Sequence, residues 1–130
     1  MSCLLPKSRC RSTWTGDWWY ALHRSQIKRT ISSQAEIVLL GDSLTAGLSR
    51  YPQAWALFNN HKVTNCGIRG DRIENGLWRV DRMFLPNTVS SAVIAYGINN
   101  MNEDSASNIA LGVVSIALKL RVVQPQRQCD

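Results

Sequence analysis

The chain has 130 residues, 45% hydrophobic and 18% charged, which provides the core of one domain and excludes a compositionally disordered protein. Fifteen Lys and Arg face nine Asp and Glu, a net charge of +6, but the surplus is spread out and reads as solvated faces rather than a nucleic-acid or membrane stripe. The longest apolar stretch, residues 109–118, is broken by Ser115 and falls short of the roughly 20 residues that a membrane helix needs.

Residues 1–13 carry no periodic pattern and are expected to form a flexible tail. Their short apolar start runs straight into Lys7, Arg9 and Arg11, which disfavours a signal peptide. Residues 14–33 are expected to form an aromatic helix. Tyr20, Ile27 and Ile31 fall at i, i+7 and i+11, and Trp14, Trp18 and Trp19 are expected to cover one end of a core.

Residues 36–40 are an apolar run stopped by Gly41-Asp42-Ser43, which predicts a buried parallel strand. A helix over 51–58 follows, with Pro52 placed for its first turn. Residues 62–66 predict a second strand, stopped by Gly67-Ile68-Arg69-Gly70-Asp71. Ile73, Leu77, Val80 and Phe84 then give an amphipathic helix that Pro86 ends. Residues 91–96 predict a third strand, stopped by Gly97-Ile98-Asn99-Asn100. Ile109, Val113, Ile116 and Leu120 repeat the helical offsets.

This alternation predicts an α/β fold: a parallel sheet covered by helices on both faces. In such sheets ligands sit beyond the C-terminal strand ends. Ser43, Gly70 and Asn99 each follow a strand, about one βα unit apart, so a hydroxyl, a flexible backbone amide and a side-chain amide are expected to converge there. Acyl transfer needs that set: a serine nucleophile and donors preorganised for an oxyanion. Asp42 is expected to cap the following helix or brace the turn.

Four cysteines stand at 3, 10, 66 and 129, with no C-x-x-C pair for zinc. The even count leaves a disulfide framework open, but Cys66 in its apolar strand suits a buried free thiol, and the favoured reading is a reduced intracellular chain. His23 and His61 both read as surface histidines. The loose group Arg69, Arg72, Arg79 and Arg82, interleaved with Asp71, Glu74 and Asp81, reads as a solvated face.

On these residues the chain resembles the SGNH, or GDSL, hydrolases. Ile37-Val38-Leu39-Leu40-Gly41-Asp42-Ser43-Leu44 is similar to the family's first block, Asn65-Cys66-Gly67-Ile68-Arg69-Gly70-Asp71 to its second, and Tyr96-Gly97-Ile98-Asn99-Asn100 to its third. Leu77-Trp78-Arg79 and the aromatic first helix look most like the catalytic subunits of intracellular platelet-activating-factor acetylhydrolase.

The resemblance implies a flavodoxin-like three-layer sandwich, hydrolysis of a small acyl or acetyl ester, no cofactor and a cytoplasmic setting. It implies Ser43 as nucleophile and the Ser43 and Gly70 N–H groups and the Asn99 amide as oxyanion hole. Asp42, Asp71 and Asn100 would support them. Nothing in the chain matches the family's Asp-x-x-His block, which supplies the base. The expectation is therefore a partial SGNH domain over 14–124, truncated after the third βα unit, with a tail at 125–130. Its third strand would be a bare apolar edge, open to pairing with another copy. The competing readings are a non-catalytic binding module of the same fold and a flavin or nucleotide binder holding phosphate at residues 41–49. Nucleic-acid binding ranks last, for want of a reader motif.

Overall fold

The computed structural model describes residues 3–9, 14–58 and 60–123, with backbone only at 14–16, 122 and 123. Cys10, Cys129, the Trp14 side chain and the tail expected at 125–130 lie outside the described residues.

Strands β1 (Ile37–Gly41), β2 (Val63–Gly67) and β3 (Ser91–Ala95) form a parallel sheet in the order β2-β1-β3. β1 lies between two neighbours, and its Val38, Leu39 and Leu40 are buried, as expected of a strand covered on both faces. Gly41 stands in register with Gly67 on one side and Ala95 on the other. The three turns that follow therefore leave the sheet at one edge.

Side chains alternate across the sheet. Val38, Leu40, Cys66, Ala92, Ile94 and Tyr96 share one face with the main core. Helices α4 (Ile73–Val80) and α5 (Ala106–Val123) cover it through Ile73, Leu77, Val80, Ile116 and Leu120. Helix α1 (Trp14–Ser32) flanks β2, with Gln26 Nε2 donating to the Gly67 carbonyl at 3.0 Å. The opposite layer is short. After β1 the chain forms α2 (Ser43–Gly47) and α3 (Pro52–Trp55), each extended by a 3₁₀ turn, and α2 packs on β1 and β2. On β3 the same face is open: Ser91, Val93 and Ala95 are exposed. Among the described residues this is a flavodoxin-like α/β/α arrangement on a three-stranded parallel sheet. Among the described residues no helix is long and apolar enough to cross a membrane, and no group of three or more His, Cys, Asp or Glu is placed to hold a metal. Cys3 and Cys66 are buried free thiols.

Three expectations need correction. α4 stops at Val80, and Phe84 is exposed. Beyond the helix the chain changes period, so Met83 and Leu85 turn inward instead. On α1, Ile31 is exposed, and the buried face is Trp19, His23, Gln26 and Thr30. That face is mostly polar because it meets a buried guanidinium, described below. Finally, residues 3–9 are not a loose tail. The Lys7 N–H donates to the Glu74 carbonyl and Asn75 Nδ2 donates to the Lys7 carbonyl, both at 2.8 Å. Cys3 is buried in the core, its thiol donating to the Asn108 carbonyl. The first turn of α4 thus offers polar partners that hold this segment's backbone.

Candidate active site

β1 ends at Gly41, and Asp42 caps α2, its buried carboxylate accepting the Leu44 N–H at 3.0 Å. Ser43 opens α2 and is exposed. Its N–H is one of the orphan donors of a helix start. Among the described residues neither that N–H nor the hydroxyl has a hydrogen-bond partner. α2 lies so close to the end of β2 that a Cβ at Gly67 would fall on the Ala46 backbone nitrogen and 3.0 Å from the Asp42 carbonyl. Only glycine fits there. Asn65 ties the two together: its Oδ1 accepts the Gly67 N–H at 2.9 Å and its Nδ2 donates to the Thr45 carbonyl at 2.7 Å.

After β2, residues 68–71 make a tight turn closed by the Asp71 N–H on the Ile68 carbonyl at 3.1 Å. Gly70 has φ +79°, the third position of a type II turn. It is exposed, and its N–H has no partner among the described residues. Asn99 reaches this turn from the loop after β3. Its Nδ2 donates to the Asp71 carbonyl at 2.8 Å, while Arg72 Nη1 holds the Asn99 carbonyl at 2.7 Å. One amide proton of Asn99 supplies that bond; the amide carries two. Asn100 caps α4: its Oδ1 accepts the Ile73 N–H at 3.0 Å, and its Nδ2 donates to Glu74 and Asp104. The Gly70 turn and Asn99 are therefore joined directly. Ser43 shares their edge of the sheet, but no hydrogen bond links it to either among the described residues.

Behind the Gly70 turn lies a buried polar cluster that the sequence reading places in solvent. Arg79 is fully buried and donates to Asp71 Oδ2, Tyr96, Gln26, the Cys66 carbonyl and His23 Nδ1. Asp71 also accepts from Trp19 Nε1 at 2.7 Å. Burial pushes its carboxyl up, opposed by the Arg79 charge and the Trp19 hydrogen bond. Burial likewise raises the Tyr96 phenol. His23 is no surface histidine: it is buried and stacked on Trp19. Burial first, then the charges of Arg79, Arg24 and Arg82, push its pKa down to about 4. The legible signal was Gly76, three residues before Arg79 on the core side of α4, where it leaves room for Tyr96 and Ile116.

His61 is exposed, as expected, 3.9 Å from Glu36 at the opposite end of the sheet. Arg69 is exposed too. Neither histidine is hydrogen-bonded to Ser43. Chemically the edge offers free N–H donors and a side-chain amide, suited to an anionic oxygen. The described residues place no base on the Ser43 hydroxyl.

No protein-family model matches the chain. It is 26% identical over 110 residues to the platelet-activating factor acetylhydrolase IB subunit alpha2 of Homo sapiens, covering 85% of this chain and 48% of that protein. It is 28% identical over 109 residues to the alpha1 subunit of Rattus norvegicus, covering 83% of this chain and 47% of that one. The chain thus spans about half the length of the curated relatives it matches. A solved structure from Streptococcus pneumonia, described as a candidate platelet activating factor, shares the fold. Its TM-score is 0.59 at 19% identity, over 85% of this chain and 54% of that chain. A chain with these three turns on this sheet is a distant homologue of the platelet-activating factor acetylhydrolase IB subunits.

Proposed function

We propose that the chain carries the nucleophile and oxyanion half of an SGNH-type hydrolase of small acyl or acetyl esters. Ser43 is the nucleophile. Its own N–H, the Gly70 N–H and the Asn99 amide receive the oxyanion, while Asp42, Asp71 and Asn100 hold the three turns. The observation that carries this reading is the pair of N–H groups, at Ser43 and Gly70, that have no partner among the described residues, on the sheet edge that also bears the Asn99 amide. The distant homology to acetylhydrolase subunits supports the ester class. Two buried free thiols fit a reducing, cytoplasmic setting.

In the reaction, Ser43 Oγ bonds to the ester carbonyl carbon and its proton must pass to a base. A serine hydroxyl is a weak nucleophile without one. His23 is committed to Arg79 and His61 lies at the wrong end of the sheet, so the chain is catalytically incomplete as it stands. Hydrolysis of nitrophenyl acetate is therefore expected to be slow, roughly 10⁴-fold or more below a complete serine hydrolase. Ser43→Ala is expected to remove the remaining rate, and His61→Ala to leave it unchanged. A fast rate lost in Ser43→Ala would refute the incompleteness. Equal rates in all three proteins would leave a binding module.

We also propose that β3 pairs with a second copy. Among the described residues its outer edge has no neighbouring strand, and Val93 is half exposed. Residues 83–102 carry no charge at all, and an edge without Lys or Pro is open to pairing. Light scattering is expected to show species above the monomer. Val93→Lys should weaken association by about tenfold, or ~1.4 kcal/mol. A monomer at all concentrations would count against the idea.

A further inference from the structure

Arg9 lies far from every motif of the candidate site, yet it touches the Gly70 turn. Its Nη2 donates to the Arg69 carbonyl at 2.7 Å and to Asp71 Oδ1 at 3.2 Å. The same nitrogen would sit 3.1 Å from a Cβ at Gly70. The segment that carries Arg9 is held on α4 by two backbone bonds at Lys7, both 2.8 Å. Arg9 is thus delivered to the turn by a docked strand of chain.

The Arg69 carbonyl and the Gly70 N–H belong to one peptide unit. The chain has no cis peptide among its described residues, so the two groups point in opposite directions. Fixing the carbonyl fixes the direction of the N–H. Types I and II of this turn differ by a flip of that same central peptide, and glycine at the third position accepts either. A cation on the carbonyl selects the type II form seen here, with Gly70 at φ +79°. The bond is charge-assisted and shorter than its neighbour to Asp71, as a strong one should be. It also polarises the peptide, which strengthens the N–H as a donor.

We propose that Arg9 is a positioning residue: it clamps the Arg69–Gly70 peptide so that the Gly70 N–H is held toward the candidate oxyanion site. The catalytic part of this claim rests on the ester-hydrolase reading above; the clamp itself does not. Asn99 grips the carbonyl two residues further on, that of Asp71. Arg9 and Asn99 therefore hold two peptides of this segment, Arg69–Gly70 and Asp71–Arg72, one from the N-terminal segment and one from the loop after β3.

The test uses the full chain, isotope-labelled, as wild type, Arg9→Met and Arg9→Lys. Met keeps the apolar stem and removes the donors. The readouts are the residual dipolar coupling of the Gly70 N–H and the Arg69 carbonyl carbon shift. In Arg9→Met both are expected to move, with the Gly70 coupling averaged over two peptide orientations. In Arg9→Lys both should stay near wild type. Should Arg9→Met fail to fold, Arg9→Gln takes its place, since its amide is too short to reach the carbonyl. Unchanged values in the variant without the clamp would overturn the proposal. In parallel, the Ser43-dependent hydrolysis of nitrophenyl acetate should fall by roughly tenfold to a hundredfold in kcat, with KM little changed. A faster Arg9→Met enzyme would make the segment a lid and refute the positioning role. If wild type shows no Ser43-dependent rate, the hydrolase reading falls and the clamp is judged on the spectra alone.

Discussion

Arg79→Met is expected to lower the unfolding free energy by about 3–5 kcal/mol, the usual loss when one partner of a buried ion pair is removed. A guanidinium has five N–H donors, and Arg79 uses them on five acceptors: His23 Nδ1 at 3.2 Å, Asp71 Oδ2 at 3.1 Å, Tyr96 Oη at 3.2 Å, Gln26 Oε1 at 2.6 Å and the Cys66 carbonyl at 2.9 Å. Met leaves the Asp71 carboxylate buried with the Trp19 N–H and the Tyr96 hydroxyl as neutral donors and only the partly exposed Arg9 as a positive charge. Against a typical domain stability of about 5–15 kcal/mol the loss is most of what a small domain has. Arg79→Lys should recover less than half, since an ammonium is a point charge with three donors. The double variant Arg79→Met, Asp71→Asn should lose less than the sum of the single ones. Urea denaturation measures all four. A loss below about 1 kcal/mol in Arg79→Met would mean that the cluster does not hold the fold together.

The second large effect is of pH. His23 has a pKa of about 4 in the folded chain against 6.5 in its unfolded reference. Between those values the unfolded chain binds a proton that the folded chain refuses, so stability falls as pH is lowered from 6.5 to 4. The full loss is on the order of 3 kcal/mol, and the slope from His23 fades above about pH 8. The physical cause is plain: imidazole Nδ1 accepts the Arg79 Nε–H, and protonation would set two cations face to face in a buried site. Stability measured against pH should therefore rise through this window, and His23→Gln should flatten it. An imidazole that titrates near 6.5 in the folded protein would refute the account.

Both effects belong to the part of the molecule that sequence reading misses. Strands are legible because Ile37 to Leu40 form an unbroken apolar run stopped by Gly41, Ala92 to Tyr96 repeat the device before Gly97, and the more polar Val63 to Cys66 is marked by its stop at Gly67. The three turns are legible because one βα unit separates them. Burial of polar groups is not, because it depends on partners remote in the chain. Arg79 and His23 stand 56 residues apart, and Trp19 and Asp71 stand 52 apart. Arg79, His23 and Asp71 look like surface residues until these partners are in place. The same holds for α1, whose inward face reads as its polar one, and for Arg9, whose target at Arg69 is 60 residues away. Phe84 misleads for a local reason: its helical offset is correct, but the helix has already ended at Val80.

The place of β1 in the middle of the sheet bears on how the chain assembles. The strand made first must find both neighbours, and β3 lies about twice as far from it along the chain as β2 does. Closing the nearer crossover sacrifices less chain entropy, so the β1–β2 ladder is expected to form ahead of the other. Until β3 arrives, Val38 and Leu40 lack their cover on one side, and the uncharged stretch of residues 83–102 is still unpaired. For a nascent chain leaving the ribosome, that interval is when aggregation competes with folding and when a chaperone would be of most use.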